Sequence, residues 1–266
     1  MITDFKVFEG SDVDTQKLSS FLENNYNQGA PVEVNHSRAY LNWFFLNKGA
    51  LGVIKSSDEW VAIFCLGRFT MRYNNSQGEV FNSGPLCVHK KYLFKNLAQD
   101  VVRQTSNHIK LKYNLPILGA GATGVKKKTL LKEFGMFLAS EVYCPERLCF
   151  SSNNFYLCDE STFLKKFKNK NGVVFYHEQE VSCNSKTQKW AIICSYSTSH
   201  CWKTLIYHFY KSIEGQYDNI LIFENLERKN SDLSEIGFKK ITSYNLYIDS
   251  PVELPKYFLY YNLFLY

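Results

Sequence analysis

The residues best placed to do chemistry lie between Glu79 and Asn107, in EVFNSGPLCVHKKYLFKNLAQDVVRQTSN. The first half reads as a strand that ends at Leu86-Cys87-Val88, and the second half sets Leu93, Leu97, Val101 and Val102 on one face of a helix. Between them lies a short basic turn, His89-Lys90-Lys91-Tyr92. Free N–H groups and the dipole at a helix start hold a pyrophosphate. Strand N–H groups left unpaired by a bulge polarise a thioester oxygen. Together these are the parts of an acyl-CoA platform. A plain core strand, solvated turn and surface helix share the same pattern.

Other chemistries find less support. The histidines form no H-E-x-x-H pair, so a metalloprotease site is not expected. His200-Cys201 beside Ser197 and Ser199 has no G-x-S-x-G elbow to make it a nucleophile. Gly119-x-Gly121-x-x-Gly124 has the form of a dinucleotide fingerprint, but no opening βαβ unit precedes it. The eight cysteines make no C-x-x-C pair, and no metal is expected. Cys65, Cys87 and Cys194 sit in apolar strand patterns, where a free thiol acts as a small hydrophobe.

A chain of 266 residues buries a large core, as one broad domain or two lobes. With 45% hydrophobic residues it is globular. Its net charge of +6 suits an anionic ligand, and no nucleic-acid-binding signature accompanies it. MITDFKVFEG is not a signal peptide, and no apolar run approaches a membrane span, so a reducing cytoplasmic setting is expected.

The elements that must position the Glu79–Asn107 stretch follow from periodicity. A strand over 3–8 leads to a helix capped within 11–14 and running to about Asn25. Asn35 or Ser37 caps a second helix through Phe45, and 51–55, 59–73 and 79–88 form a meander. A helix over 94–112, a strand over 113–118, flexible 119–124, a short helix over 126–134 and a strand over 136–148 follow. The second half repeats part of this plan: strand 187–197, helix 199–211, strand 218–223, short helix 230–236 and strand 238–248. Leu130–Phe137 and Asp232–Phe238 share a helix-Gly-strand form, with their glycines 237 − 135 = 102 residues apart. The tail, Lys256–Tyr266, is apolar to its last residue and reads as a final strand tucked inward.

Leu86-Cys87-Val88-His89-Lys90-Lys91, with Lys95, Leu97 and Ala98 after it, resembles the F-L-C-V-H-K-K…R-S-K-R-[LV]-A-P signature of glycylpeptide N-tetradecanoyltransferases (N-myristoyltransferases). Phe21–Tyr26 is similar to that family's LLNENY segment and His36–Phe45 to its YSPEFLLWAL segment. Near the C-terminus, DNILIFENLERKNSDLSEIGF resembles the family's D-x-F-N-x-L-D-L run. The likeness is good over 4–140, fair over 217–266 and poor between. It implies an α/β (α+β) protein of two fused GNAT-like lobes, with mixed, mostly antiparallel central sheets flanked by helices. Residues 1–150 would be the acyl-CoA lobe, and 151–266 a shortened lobe on the acceptor side.

The resemblance implies transfer of a myristoyl group from myristoyl-CoA, a co-substrate, to the N-terminal glycine amine of a peptide or protein. Backbone N–H groups at Leu86 and its neighbour would form the oxyanion hole, and the Tyr266 carboxylate would accept the proton. Val88, His89, Lys90, Lys91, Lys95, Asn96, Leu97 and Ala98 would hold the acyl-CoA; Gly119, Gly121, Thr123 and Asn225 would face the acceptor. Several family features are altered. Pro85 stands at the first oxyanion donor and has no N–H, so Leu86 donates alone, or Leu86 and Cys87 donate after a one-residue slip. R-S-K-R becomes Leu93-Phe94-Lys95-Asn96, T-A-G becomes Gly119-Ala120-Gly121, an aspartate becomes Asn225, and the family's Y-Q-F-W cover over the acyl-CoA is unmatched. The alternatives are an inactive N-myristoyltransferase-like protein that binds an acyl chain or a protein partner, and a GNAT N-acetyltransferase using acetyl-CoA.

Overall fold

The computed structural model describes residues 4–26, 32–34, 36–73, 76–93, 96–122, 137–138, 156–157, 163–183, 186–198, 201–222, 235 and 244–249. The chain opens with β1 (Asp4–Glu9), α1 (Thr15–Asn25), β2 (Val32–Val34) and α2 (Arg38–Phe45). Next come β3 (Ala50–Ser56), β4 (Glu59–Tyr73), β5 (Ser76–Val88), a 3-10 turn (Lys90–Tyr92), α3 (Leu97–Tyr113) and β6 (Ile117–Ala122). Short strands β7 (Phe137–Leu138) and β8 (Tyr156–Leu157) precede β9 (Lys165–Asn169), β10 (Gly172–Cys183) and β11 (Lys186–Thr198). The described chain closes with α4 (Trp202–Ile213), β12 (Asn219–Ile222) and β13 (Tyr244–Asp249).

Helix starts follow local chemistry. Asp14 Oδ1 accepts the Lys17 N–H at 2.9 Å to open α1, and Ser37 Oγ accepts the Tyr40 N–H at 3.2 Å to open α2. Asn114, in the left-handed conformation at φ 53°, ends α3. Strand alternation then divides the core. Leu51, Val53, Ile63 and Cys65 face α1 and α2, whereas Ala50, Ile54, Ala62, Phe64 and Leu66 face α3. Helix α3 lies so close to β3 that a Cβ on Gly52 would meet Thr105 Oγ1 at 1.7 Å.

Two sheets result. The first runs β1-β3-β4-β5-β6-β13-β7, with β8 on the far end of β4; the second runs β12-β11-β10-β2, with β9 on β10. All pairs are antiparallel except β5–β6 and β11–β12. Each of those parallel pairs is bridged by a helix, α3 in one case and α4 in the other. Helix α4 covers the second sheet with Trp202, Leu205, Ile206, Phe209 and Ile213. No helix is long and apolar enough to cross a membrane among the described residues.

The two sheets are built on matching hairpins. Tyr73 pairs Ser76 at the tip of β4–β5, and Cys183 pairs Lys186 at the tip of β10–β11, a shift of 183 − 73 = 110 residues. The same shift carries Gly67↔Asn82 onto His177↔Ile192 and Ala62↔Val88 onto Gly172↔Thr198. In both hairpins a register break leaves one extra residue on the second strand. For the parallel strand the shift is 220 − 117 = 103, because the α4 connection is shorter. Two further strands pair alike: β8 meets β4 at Met71 and Arg72, and β2 meets β10 at Val181 and Ser182. Each half of the chain thus contributes strands to both sheets.

Several expectations from the sequence need correction. Tyr113 ends α3 rather than opening a strand, and the supposedly flexible 119–122 is the body of β6. Strands β2, β9 and β10 were not anticipated; β9 is lysine-rich, and β10 carries His177 and Glu178 on a strand without clean alternation. The short helices expected over 126–134 and 230–236, and the tail, lie outside the described residues.

The sheets meet across an aromatic layer. His177 of β10 packs against Tyr40 and Trp43 of α2, each at 6.0 Å between ring centroids, and against Phe163 at 5.3 Å. His36 packs against Tyr26 at 5.0 Å and Tyr40 at 5.6 Å. Burial drives both imidazoles down to about 4 from 6.5, the His177 Nδ1 contact with the Glu178 carbonyl opposing only part of the shift. A histidine whose folded pKa is depressed stabilises the fold fully above pH 6.5, and that stability is lost as pH falls toward 4. Linkage makes the loss about 3 kcal/mol for each ring. Urea midpoints at pH 7.5 and pH 4.5 are expected to differ less for His177→Phe than for the wild type; an equal difference would rule out this burial effect.

Candidate functional site

The site begins where β5 loses a neighbour. Strand β5 pairs with β6 only at Phe81↔Ile117 and Asn82↔Leu118. Beyond that point β6 continues against β13, while β5 continues against β4. The break in register lies between Ser83↔Leu66 and Leu86↔Phe64, so Gly84 and Pro85 stand opposite Cys65 alone. This bulge bends β5 away from β6 and opens a wedge between two parallel strands. A Cβ on Gly84 would meet the Phe44 ring at 2.7 Å, so only glycine lets α2 pack at this bend.

Ladder parity decides which donors face the wedge. Phe81 N–H donates to Pro116 O at 2.9 Å, toward β6. His89 N–H donates to Val61 O at 2.8 Å, toward β4. Alternation back from His89 turns the Cys87 N–H toward β4, opposite Ile63, and the Leu86 and Val88 N–H groups toward the wedge. The extra residue at the bulge produces this change of phase. Without it, Leu86 N–H would point into the ladder.

The expected site residues fall out as follows. Leu86 is half-exposed beside the wedge. Cys87 is buried on the α1–α2 face, where burial pushes its thiol up to about 12, and its N–H lies on the β4 side. Of the slipped Leu86–Cys87 pair, only the Leu86 N–H therefore faces the wedge. His89 opens the 3-10 turn, and Lys90 and Lys91 are exposed on it. Asn96 precedes α3 without a side-chain cap on its first turn. Leu97 is core and Ala98 half-buried. Asp100, the acidic residue of that turn, is paired with Arg103 at 2.8 Å.

Gly119 and Gly121 lie inside β6, paired with Tyr247 and Asn245 of β13. That removes the dinucleotide reading, which needs these glycines in a turn between strand and helix. Lys95, Thr123, Asn225 and Tyr266 lie outside the described residues. No group of three or more potential metal ligands occurs among the described residues. Sequence reasoning named Val88 but not the direction of its N–H, and missed Asn25, Phe21 and Glu59 as neighbours of the turn. Counting parity through the bulge would have given that direction. Nothing in the sequence brings α1 to residue 90.

A mixed sheet whose parallel strands splay beside a helix start is the architecture of GNAT-type acyltransferases. A GCN5-related N-acetyltransferase from Anabaena variabilis superposes with a TM-score of 0.51 at 10% identity, covering 92% of this chain and 72% of that one. More particularly, in fold the chain is N-myristoyltransferase-like. Saccharomyces cerevisiae N-myristoyltransferase with bound myristoyl-CoA and inhibitors superposes with a TM-score of 0.61 at 13% identity, over 94% of this chain and 81% of that one. The same yeast enzyme with bound myristoyl-CoA gives a TM-score of 0.57 at 12% identity, over 93% and 83%. In sequence, a putative glycylpeptide N-tetradecanoyltransferase 2 of Arabidopsis thaliana is 26% identical over 108 residues, 38% of this chain. That match spans 25% of the relative's length. No family model matches the chain.

The wedge assigns opposite outcomes to two neighbouring prolines. Leu86→Pro removes an N–H that serves no ladder bond, so the fold is expected to persist while any acyl transfer falls by roughly 10²–10³. Cys87→Pro removes a ladder donor and is expected to lower the melting temperature sharply. Equal melting temperatures for the two variants would contradict the parity.

Proposed function

We propose that the protein transfers a long-chain acyl group, myristoyl in the first instance, from acyl-CoA to the N-terminal glycine amine of a peptide or protein. The observation that carries this reading is the wedge between β5 and β6, with the Leu86 and Val88 N–H groups directed into it. The thioester oxygen accepts from Leu86 N–H as the tetrahedral intermediate forms. Lys90, Lys91 and Lys95 meet the phosphates together with the uncapped first turn of α3 at Asn96, Leu97 and Ala98. Residues 1–150 serve as the acyl-CoA lobe and 151–266 as the acceptor side, with Gly119, Gly121, Thr123 and Asn225 toward the peptide. As the amide bond forms, the CoA thiolate leaves and takes up the proton that the amine gives up. The free, buried Cys65 and Cys87 suit a reducing cytoplasmic setting.

Pro85 favours a second reading, an inactive relative that binds acyl-CoA or a protein partner. It stands at the bulge itself, without an N–H to give. An active enzyme with Leu86 as the one donor to the thioester oxygen is expected to be slow.

Calorimetric titration with myristoyl-CoA, palmitoyl-CoA and acetyl-CoA, followed by thiol release with a glycine-starting peptide, tests these readings. Long-chain binding with CoA release supports the transferase. Binding without release supports the inactive relative. Preference for acetyl-CoA moves the assignment to N-acetyltransfer.

A further inference from the structure

The turn between β5 and α3 is tied down from within. Lys90 N–H donates to Asn25 Oδ1 at 3.3 Å, Lys91 N–H to His89 Nδ1 at 3.2 Å, and Tyr92 N–H to His89 O at 2.8 Å. The other ring nitrogen, His89 Nε2, lies 3.5 Å from Glu59 Oε1. The imidazole packs against Phe21 of α1 at 6.3 Å and Tyr92 at 5.7 Å. Asn25 is held in turn by its Nδ2, which donates to Phe21 O at 2.9 Å.

Two consequences follow. The backbone donors of the 3-10 turn are spent on Asn25 and His89, so the turn does not cradle an anion with its own N–H groups. His89 has both nitrogens directed at protein atoms, so it has none to offer a ligand. What the turn presents outward is the pair of exposed ammonium groups on Lys90 and Lys91.

We propose that His89 and Asn25 are positioning residues for anion binding. They fix the turn so that Lys90, Lys91 and the first turn of α3 converge on the same phosphates. Asn25 makes the last turn of α1 part of that device. The assignment rests on the acyl-CoA reading above, and it changes the expected part of His89 from contact to support.

The test compares wild type with His89→Ala, His89→Asn, His89→Gln and Asn25→Ala in the full chain. Myristoyl-CoA affinity, KM and kcat are measured with amide exchange at Lys90 and Lys91. An asparagine Oδ1 occupies the place of histidine Nδ1 and is a good cap for the turn, whereas glutamine cannot reach back to it. His89→Ala and Asn25→Ala are expected to weaken myristoyl-CoA binding by about three- to tenfold through KM, the effect of losing one hydrogen bond, with kcat unchanged. Lys91 exchange accelerates in His89→Ala, and Lys90 exchange in Asn25→Ala. His89→Asn restores both exchange and affinity, and His89→Gln does not. Wild-type binding with no change in the alanine variants overturns this assignment alone. Failure of the wild type to bind any acyl-CoA overturns the acyl-CoA reading and this assignment with it. Loss of binding in His89→Asn despite normal Lys91 exchange would make His89 a direct ligand contact and overturn its role as support.

Discussion

The one extra residue in β5 is the constraint on which the rest depends. A regular strand through Gly84 and Pro85 would keep Leu86 N–H in the ladder with β4 and let β6 run on beside β5. The bulge turns Leu86 and Val88 outward, separates the parallel strands after Asn82, and leaves a gap bordered by backbone donors. Everything near it accommodates the bend. Gly84 admits the Phe44 ring, Gly52 admits Thr105 so that α3 can lie against β3, and β13 takes up the free edge of β6. The Leu86 and Val88 N–H groups that border the gap are left without a partner in the ladder. On the proposed reading, a thioester oxygen accepts from Leu86 N–H at the position where charge develops.

The second sheet shows that this bend belongs to the hairpin as a unit. Residue pairs of β10–β11 repeat those of β4–β5 at a constant shift, and the irregularity recurs at the same height. The side chains are unrelated at nearly every position, so the repeat lives in hydrogen-bond register and not in composition. Sheet-to-sheet contact is made by rings, with His177 lodged among Tyr40, Trp43 and Phe163. Burying neutral imidazoles there ties the union of the two sheets to pH.

Much of the first sheet was legible in the sequence because β3 and β4 are nearly continuous apolar runs, buried on both faces, and Ser57-Asp58 breaks them. The β4 span coincides with the expectation, and the Asp14 and Ser37 caps stand within the ranges expected for them. Strands β9 and β10 were not legible. Lys166 and Lys168 face outward on an edge, and β10 buries His177 and Gln179, so neither gives the apolar alternation that marks a strand. Gly119-Ala120-Gly121 reads in sequence as a flexible link, yet it pairs with β13, a strand more than a hundred residues away. For the site, the motif around Leu86–Lys91 marks the end of β5 and the 3-10 turn after it. The direction of each N–H, and the arrival of Asn25 beside Lys90, depend on a bulge and on tertiary packing that residue types do not encode.

The most direct measurement is a crystal structure of the protein with a non-hydrolysable myristoyl-CoA analogue. The account predicts that the carbonyl oxygen equivalent lies in the gap between β5 and β6, within about 3 Å of Leu86 N, with the phosphates beside Lys90 and the start of α3. An analogue bound elsewhere, or a carbonyl directed away from Leu86, would contradict it.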